Sequence, residues 1–130
     1  RSAGADVRAD AVEAGDTVHV LGTPLEVGFV LDNMLSNAID AVGGEPKRQI
    51  DIGVTVEGRH AVVTVADTGR GVPESDRDSI FRPGVSSREG GGHGLSRSRE
   101  MLERRGGSIS LVRSAPGEGA VFEARFRLRI

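Results

Sequence analysis

Two asparagines four residues apart, Asn33 and Asn37, are the first residues whose type and spacing could do chemistry. They stack on one side of a predicted helix, because residues four apart share a face. Asparagine is a mediocre helix former, since its amide competes for backbone hydrogen bonds. Amide oxygens are hard ligands that suit Mg²⁺, which also takes phosphate oxygens of a nucleotide. The pair therefore fits either a magnesium–nucleotide site or two solvated polar side chains.

A second candidate is Asp67-x-Gly69-x-Gly71, which directly follows a predicted strand. Glycines this close together allow another planar group or a backbone segment to approach. A carboxylate only accepts hydrogen bonds, so Asp67 could accept one from the exocyclic amine of adenine. Guanine would present a carbonyl oxygen there and leave the carboxylate unpaired, at a cost of roughly 1–3 kcal/mol. An ordinary turn is the alternative, since Asp and Gly are the commonest turn residues.

The stretch 86–95 places two serines, Arg88 and a run of glycines directly before another predicted helix. Free backbone N–H groups at a helix start, together with the helix dipole, attract anions. The guanidinium of Arg88 can bond phosphate oxygens in pairs. No Gly-Lys-Ser/Thr follows the glycines, so the stretch is not a P-loop. It fits either a phosphate-binding loop or a structureless glycine linker.

The bulk composition limits the class of protein. The 130 residues suit one domain with one core, and a net charge of -2 does not suggest nucleic-acid binding. No apolar run approaches the ~18 residues of a membrane span, and no signal peptide is visible. The absence of cysteine excludes disulfides and thiolate metal sites. Because the chain opens on Arg1, we expect a fragment of a longer protein.

The first half of the chain predicts two short strands, one helix and a hairpin. Thr23 as N-cap, Pro24 at the first helical position and Glu26 at the third form a capping box. The predicted helix runs to Val42 and stops at Gly43-Gly44. Its predicted buried stripe comprises Leu31, Met34, Leu35, Ala38 and Val42. The predicted strands cover 5–11, 17–21, 50–56 and 61–66, with turns at 13–16 and 58–59.

The second half predicts a long loop, a helix and a closing hairpin. The predicted elements are a loop at 67–73, a helical turn at 74–80, a mobile loop at 82–93, a helix at 95–104 that ends at Gly106-Gly107, and strands at 109–112 and 121–128. Phe122, Ala124, Phe126 and Leu128 share one face of the last strand. This order predicts an α+β fold: a two-layer α/β sandwich whose mixed, mostly antiparallel sheet is covered on one face by helices. We expect a single domain over 1–130.

The order of the motifs resembles that of the GHKL ATPase superfamily, and in particular the catalytic ATP-binding domain of two-component sensor histidine kinases. The segments that carry the resemblance are Asn33-x-x-x-Asn37-Ala38-x-Asp40-Ala41 (N box), Asp67-Thr68-Gly69-Arg70-Gly71-Val72-Pro73 (first glycine box), Ile80-Phe81-Arg82-Pro83 (F box), Gly90-x-Gly92-x-Gly94-Leu95 (second glycine box) and Glu103-x-x-Gly106-Gly107-Ser108-Ile109.

The resemblance implies a role for each matching residue. Asn37 would coordinate Mg²⁺ on the triphosphate, and Asn33 would assist it or bind phosphate. Asp67 would bind the adenine amine, and the base pocket would be lined by Gly69, Gly71 and Val72. Residues 82–93 would form the ATP lid, in which Arg88 stands where the family often has a lysine that reaches the γ-phosphate. The remaining implied phosphate contacts are Ser86, Ser87, Gly90, Gly92, Gly94 and Leu95.

The chain also departs from the family pattern. Gly84-Val85 replace the aromatic residues that often follow the F-box proline, which implies a looser lid. His93 could add a phosphate contact or face solvent, and no role is assigned to Asp40. His19 and His60 lack the acidic neighbour of a phosphoacceptor histidine, so we expect them at the surface or at strand edges. The arginine set 97, 99, 104 and 105 forms either a solvated face or a partner contact.

The implied function is transfer of the γ-phosphoryl group to a histidine on a separate dimerisation domain, and from there to an aspartate of a response-regulator receiver domain. The isolated chain should be a monomer that binds ATP and transfers little, whereas its parent should be a homodimer. The resemblance also implies a cytoplasmic domain of a membrane-anchored sensor, with no nucleic-acid or membrane contact of its own.

Two alternatives remain open. One is another GHKL protein, such as an anti-sigma-factor Ser/Thr kinase or an ATPase of the gyrase or MutL mismatch-repair type. These proteins usually carry an acidic residue where Asn33 stands, and an asparagine cannot act as a base. The other alternative is a non-catalytic nucleotide-binding interaction module, in which the boxes should be eroded.

Overall fold

A five-stranded sheet forms one layer, and two helices pack on one of its faces. The computed structural model describes residues 6–10, by their backbone alone, together with 17–84 and 94–129. The elements are β1 (Asp6–Asp10), α1 (Pro24–Val42), β2 (Gln49–Glu57), β3 (His60–Asp67), α2 (Gly94–Arg104), β4 (Ser108–Ala115) and β5 (Gly119–Arg127). The strand order is β1-β2-β3-β5-β4. The β1–β2 pair is parallel and the other three pairs are antiparallel, which confirms the predicted α+β sandwich.

The predicted strand at 17–21 is wrong. Within that range, Val20 makes an isolated bridge to Leu128, and Leu21 N–H donates to the carbonyl of Arg127 at 2.8 Å. The segment therefore runs beside the end of β5 and forms no hairpin with β1. The physical reason is that backbone groups at the far end of the chain, beside and after β5, supply the partners of this segment. The turn predicted at 13–16 lies outside the described residues.

Local capping chemistry fixes where α1 begins. The Thr23 hydroxyl accepts from the Glu26 N–H at 3.1 Å, and the Glu26 carboxylate accepts from the Thr23 N–H at 2.9 Å. This confirms the predicted capping box, and the helix ends at Val42 as predicted. The same Glu26 oxygen accepts from Arg105 at 2.9 Å, so the start of α1 is tied to the end of α2. The backbone bond from Thr23 is the main reason why the pKa of Glu26 lies below its ordinary value of 4.5.

The buried stripe of α1 differs from the predicted one. Its fully buried residues follow a strict four-residue spacing: Val30, Met34, Ala38 and Val42. Met34, Ala38 and Val42 are buried as predicted, and Leu31 packs partly buried against the core. Leu35 is only half-buried, and Val30, which the prediction omitted, completes the buried row.

The core lies between the helices and the two central strands. β3 contributes Ala61, Val63 and Val65, and β5 contributes Ala120, Phe122, Ala124 and Phe126. The predicted shared face of the last strand is confirmed, with Leu128 partly buried. The β3–β5 register sets Asp67 opposite Ala120, so the last residue of β3 reaches the end of the sheet where the loops gather.

The region predicted as a helical turn at 74–80 forms two single-turn 3₁₀ helices, Glu74–Asp76 and Ser79–Phe81. Phe81 is buried and packs edge-on against Phe122, with ring centroids 6.2 Å apart. The guanidinium of Arg99 lies 4.4 Å above the Phe81 ring, within the range of a cation–π contact. Arg99 therefore joins α2 to the segment that leads into residues 85–93, which lie outside the described residues.

The remaining predicted surface residues are placed as follows. Arg97 and Arg104 are exposed, whereas Arg105 pairs with Glu26 and Arg99 covers Phe81. His19 is exposed, and His60 lies at the start of β3 with its Nε2 2.9 Å from the carbonyl oxygen of Gly106.

Ser98 on α2 has a hydroxyl with no hydrogen-bond partner within the described part of the chain, and the residue is fully buried. A buried unsatisfied hydroxyl is costly, and alanine is the better helix former. Ser98→Ala should raise the free energy of unfolding by about 1 kcal/mol. Urea denaturation measures this. The exposed Ser75→Ala should stay within about 0.5 kcal/mol of the wild type. A less stable Ser98→Ala protein would contradict the assignment.

Candidate functional site

A cavity of about 630 Å³ opens at the edge where α1, the β3 loop, α2 and the β4–β5 hairpin meet. Its lining residues are Asn37, Asp40, Ala41, Asp67, Arg70, Gly71, Val72, Pro73, Asp76, Ile80, Leu95, Pro116, Ala120 and Phe122. Cavities of roughly 300–1,000 Å³ with apolar walls and a few convergent polar groups are typical small-molecule sites. This one is large enough for a nucleotide.

Asp67 lines the cavity and is only 8% exposed. Burial raises its pKa above the ordinary value of 3.8, and the backbone N–H groups of Gly69 and Ala120 and the charge of Arg70 partly oppose the shift. The Gly69 N–H donates to Oδ1 at 2.8 Å, which fixes the orientation of the carboxylate. A buried carboxylate with spare acceptor capacity favours a ligand that brings a hydrogen-bond donor.

The first glycine of the loop brings it against the end of α1. A Cβ on Gly69 would lie 2.5 Å from the carbonyl oxygen of Ala41 and 2.6 Å from its Cβ. The Arg70 N–H donates to the same Ala41 oxygen at 3.2 Å, and the Arg70 guanidinium donates to the carbonyl of Asp40 at 3.0 Å. Gly69 is not among the cavity-lining residues, so the close approach that it permits is to helix backbone.

The second glycine of the loop meets the β4–β5 hairpin. Gly71 has φ +75°, and a Cβ there would overlap the carbonyl oxygen of Ala115. The Val72 N–H donates to the Ser114 hydroxyl at 2.6 Å, and that hydroxyl lies 3.2 Å from the Val72 carbonyl oxygen, to which it donates. Gly71 and Val72 line the cavity. The loop is therefore held on both sides by backbone contacts.

Two residues that the sequence reasoning missed help to hold this loop. The Thr68 hydroxyl donates to the carbonyl of Lys47 at 2.9 Å and accepts from the Gln49 N–H at 2.9 Å, so the loop is fastened to the start of β2. Ser114 fastens it to β4, as described above. Neither residue is marked by local spacing, because each partner lies 19 to 42 residues away in the chain. The strand ends that flank the loop are the one signal that could have found them.

The two asparagines of α1 have different surroundings. Asn37 lines the cavity, and Asp40 lies one turn further along the same wall. Asn33 is not among the lining residues, and its Nδ2 donates to the carbonyl of Phe29 at 2.8 Å within the same helix. The structure therefore gives Asn37 direct access to a ligand in the cavity and places Asn33 one turn away, beside the start of α2.

The predicted phosphate-binding residues are only partly within the described chain. Leu95 is buried and lines the cavity, and Gly94 begins α2 beside Asn33. The roles predicted for Ser86, Ser87, Arg88, Gly90, Gly92 and His93 concern residues outside the described ranges. Among the cavity-lining residues of the described chain, Arg70 supplies the single cation.

No group of three or more histidine or acidic side chains in the described ranges is arranged to hold a metal ion. The side chains with an amide or carboxylate oxygen that line the cavity are Asn37, Asp40, Asp67 and Asp76. No helix within the same ranges is long and apolar enough to cross a membrane.

Comparison with known proteins gives one family and a consistent set of relatives. Residues 22–130 match the model of the family described as "Histidine kinase-, DNA gyrase B-, and HSP90-like ATPase". The chain is 37% identical over 103 residues to the alginate biosynthesis sensor protein KinB of Pseudomonas aeruginosa, with 75% of this chain and 16% of that protein covered. The sensor protein kinase PmrB of the same species is 34% identical over 111 residues, with 80% of this chain and 22% of that protein covered.

Solved structures agree with this assignment. The catalytic domain of the histidine kinase ThkA superposes with a TM-score of 0.77 at 28% identity, with 94% of this chain and 79% of that one covered. The mycobacterial sensor histidine kinase MprB gives a TM-score of 0.79 at 20% identity, with 95% and 84% covered, which supports the fold alone. The chain spans less than a quarter of the length of the two curated relatives described here. It belongs to the histidine kinase-, DNA gyrase B- and HSP90-like ATPase family, as an ATP-binding catalytic domain of the sensor histidine kinase type.

Proposed function

We propose that the chain binds Mg²⁺-ATP in the cavity and presents the γ-phosphoryl group to a histidine on a separate helical dimerisation domain. The observation that carries the proposal is that two polar side chains of different chemistry line one cavity. Asp67 is a buried hydrogen-bond acceptor, and Asn37 on the α1 wall offers an amide oxygen that can ligate a metal. This pair suits a ligand that carries an amine and metal-bound phosphates.

The adenine would occupy the apolar part of the cavity. Its exocyclic amine would donate to Asp67, and its ring would pack against side chains such as Val72, Ile80 and Phe122. Guanine would set a carbonyl oxygen against the buried carboxylate, and two acceptors in a poorly solvated site cannot satisfy each other. The site should therefore discriminate between the two bases by the pairing at Asp67.

The triphosphate would extend toward Asn37 and the start of α2. The Asn37 side-chain oxygen is the kind of hard ligand that Mg²⁺ accepts beside phosphate oxygens. Bound Mg²⁺ would neutralise charge on the β- and γ-phosphates. Further donors would come from Arg88, the serines at 86 and 87, and the glycine-rich approach to α2 that comprises Gly90, Gly92, His93 and Gly94. Asn33 cannot act as a base, which argues against activation of a water molecule for hydrolysis.

In the transfer step, the bond between the γ-phosphorus and its bridging oxygen breaks, a bond to the acceptor imidazole nitrogen forms, and ADP leaves. Any base that orients the acceptor would belong to the dimerisation domain. A receiver-domain aspartate would then take the phosphoryl group, as expected in a two-component system. We also propose that this domain operates in the cytoplasm as part of a homodimeric parent protein.

The direct test measures ATP binding and turnover by the isolated chain. Calorimetry with Mg²⁺ should give saturable binding of ATP, while incubation with γ-labelled ATP should leave the chain unlabelled and release little phosphate. No detectable binding at millimolar nucleotide would overturn the proposal. Steady release of inorganic phosphate would favour a gyrase-type ATPase, and labelling of an added serine substrate would favour the anti-sigma-factor kinase alternative.

Asp67→Asn tests the proposed adenine contact. The Asp67 carboxylate would accept from the amine, whereas the variant keeps the shape but gains a donor. ATP affinity should fall about ten- to hundredfold, since the substitution sets two donors against each other. GTP binding, in contrast, should weaken less or improve.

The same pair of proteins gives a pH test. Below its pKa, Asp67 carries a proton and loses its advantage over asparagine. Because burial raises that pKa above 3.8, the wild-type and Asp67→Asn affinities for ATP should begin to converge at a higher pH than an ordinary aspartate would give. The Asp67→Asn protein is the control, because protonation of the nucleotide itself changes the affinity of both proteins. If the ratio of wild-type to Asp67→Asn affinity for ATP stayed constant from pH 7 down to the pH at which the protein unfolds, Asp67 would not be the adenine contact.

A further inference from the structure

The Asn33 side chain is held in one orientation by its own helix. Its Nδ2 donates to the Phe29 carbonyl at 2.8 Å, and the residue is half-buried. With the amide nitrogen engaged there, the side-chain oxygen Oδ1 faces the first residue of α2, Gly94. Asn33 is therefore fixed between two helices and is not among the residues that line the cavity.

Gly94 is required for close approach and not for its backbone conformation. It is not one of the glycines with positive φ, so an alanine would suit its backbone. A Cβ at this position would overlap Oδ1 of Asn33 and lie 2.9 Å from its Cγ, and the three nearest atoms all belong to Asn33. The separation of α1 from the first turn of α2 is thus set by the contact between this amide and the bare Cα of Gly94.

The separation of the two helices affects the nucleotide cavity through the next residue, Leu95. Leu95 is 8% exposed and forms part of the cavity wall opposite the β3 loop. On α1, Asn37 lies one turn beyond Asn33 and lines the same cavity. A change in the Asn33–Gly94 contact would move Leu95 relative to Asn37, which alters the site without removing a ligand from it.

We propose that Asn33 is a positioning residue of the nucleotide site: it acts through Gly94 and Leu95 to set the width of the cavity, and Asn37 alone of the pair contacts the metal-bound phosphates. The inference rests on the proposed function, because it assumes that ATP occupies this cavity. The motif assigns contact with the metal and phosphates to both asparagines, whereas the inference gives that contact to Asn37 and a positioning role to Asn33.

Exchanging side-chain size between positions 33 and 94 tests the contact between Asn33 and Gly94. Gly94→Ala should weaken ATP binding about fivefold, because the Asn33 amide must give up its bond to Phe29 to make room. Asn33→Ala, which removes the spacer, should weaken it by a similar factor. The double variant Asn33→Ala/Gly94→Ala places the new methyl group in the space that the amide leaves, so its affinity should return to within about twofold of the wild type. Gly44→Ala, with no atom within 4 Å of its added Cβ, is the matched control and should not change binding.

The dependence of ATP affinity on Mg²⁺ distinguishes a positioning role from metal ligation. ATP affinity is measured by calorimetry with Mg²⁺ and again with EDTA. A positioning role predicts that Asn33→Ala lowers both affinities by the same factor, whereas Asn37→Ala should lower the affinity in Mg²⁺ and leave the affinity in EDTA nearly unchanged. Thermal unfolding of each variant without nucleotide verifies the fold, and Asn33→Ser replaces Asn33→Ala if the alanine protein does not fold.

Two results would overturn the inference: a double variant as weak as Asn33→Ala, or an Asn33→Ala protein that loses affinity only when Mg²⁺ is present. Either result would refute the positioning role while leaving the ATP site intact, and the second would make Asn33 a metal ligand. Failure of the wild type to bind ATP would instead refute the proposed function, so the two failures are distinguishable.

Discussion

The loop that follows β3 is held by two close backbone approaches, and the rest of the site depends on them. Gly69 lies against Ala41 at the end of α1, and Gly71 lies against Ala115 at the start of the β4–β5 turn. Added hydrogen bonds from Arg70 and Val72 close the loop onto both neighbours. A side chain at either glycine would meet backbone and not a flexible side-chain end, so the loop would have to move as a whole. Interiors packed to native density offer little room for such a shift.

This junction explains how a carboxylate can be kept buried. Asp67 is the last residue of β3, and its side chain is removed from water by the same loop that supplies a backbone N–H to it. Gly119 belongs to the same arrangement, because a Cβ there would overlap the carbonyl oxygen of Asp67. The cost of burying the carboxylate raises its pKa and leaves it suited to a ligand that brings a donor. Recognition of adenine, as proposed above, would thus be a consequence of packing around the loop.

The sequence predicted most reliably what is decided locally. Thr23, Pro24 and Glu26 placed the start of α1, because capping acts within one turn. The prediction from sequence failed where a residue far away in the chain decides the local structure. Val20 bridges to Leu128 from the far end of the chain, so alternation at 17–21 did not make a strand. Leu35 is apolar at helical spacing, but the position of the sheet buries Val30 and leaves Leu35 half-buried.

Prediction of the candidate site succeeded and failed for the same reason. Its motifs were visible as residue types, and Asn37, Asp67 and Gly71 do line one cavity. The neighbours of the glycines were not visible: spacing alone could not tell whether Gly69 approaches a ligand or Ala41. Thr68 and Ser114 escaped notice because a hydroxyl that bonds a remote backbone leaves no local pattern.

The ATP affinity of Gly69→Ala, determined by calorimetry beside Gly44→Ala, shows most directly whether the backbone contacts of the loop build the site. Gly69 lies outside the cavity lining, and the added methyl group would meet Ala41 at 2.5 Å. We expect the variant to keep a native circular dichroism spectrum but to lose ATP affinity by about tenfold or more, since displacing a loop that bonds backbone on both sides costs more than one hydrogen bond. Wild-type affinity in a folded Gly69→Ala protein would contradict the claim that the loop's backbone contacts build the site.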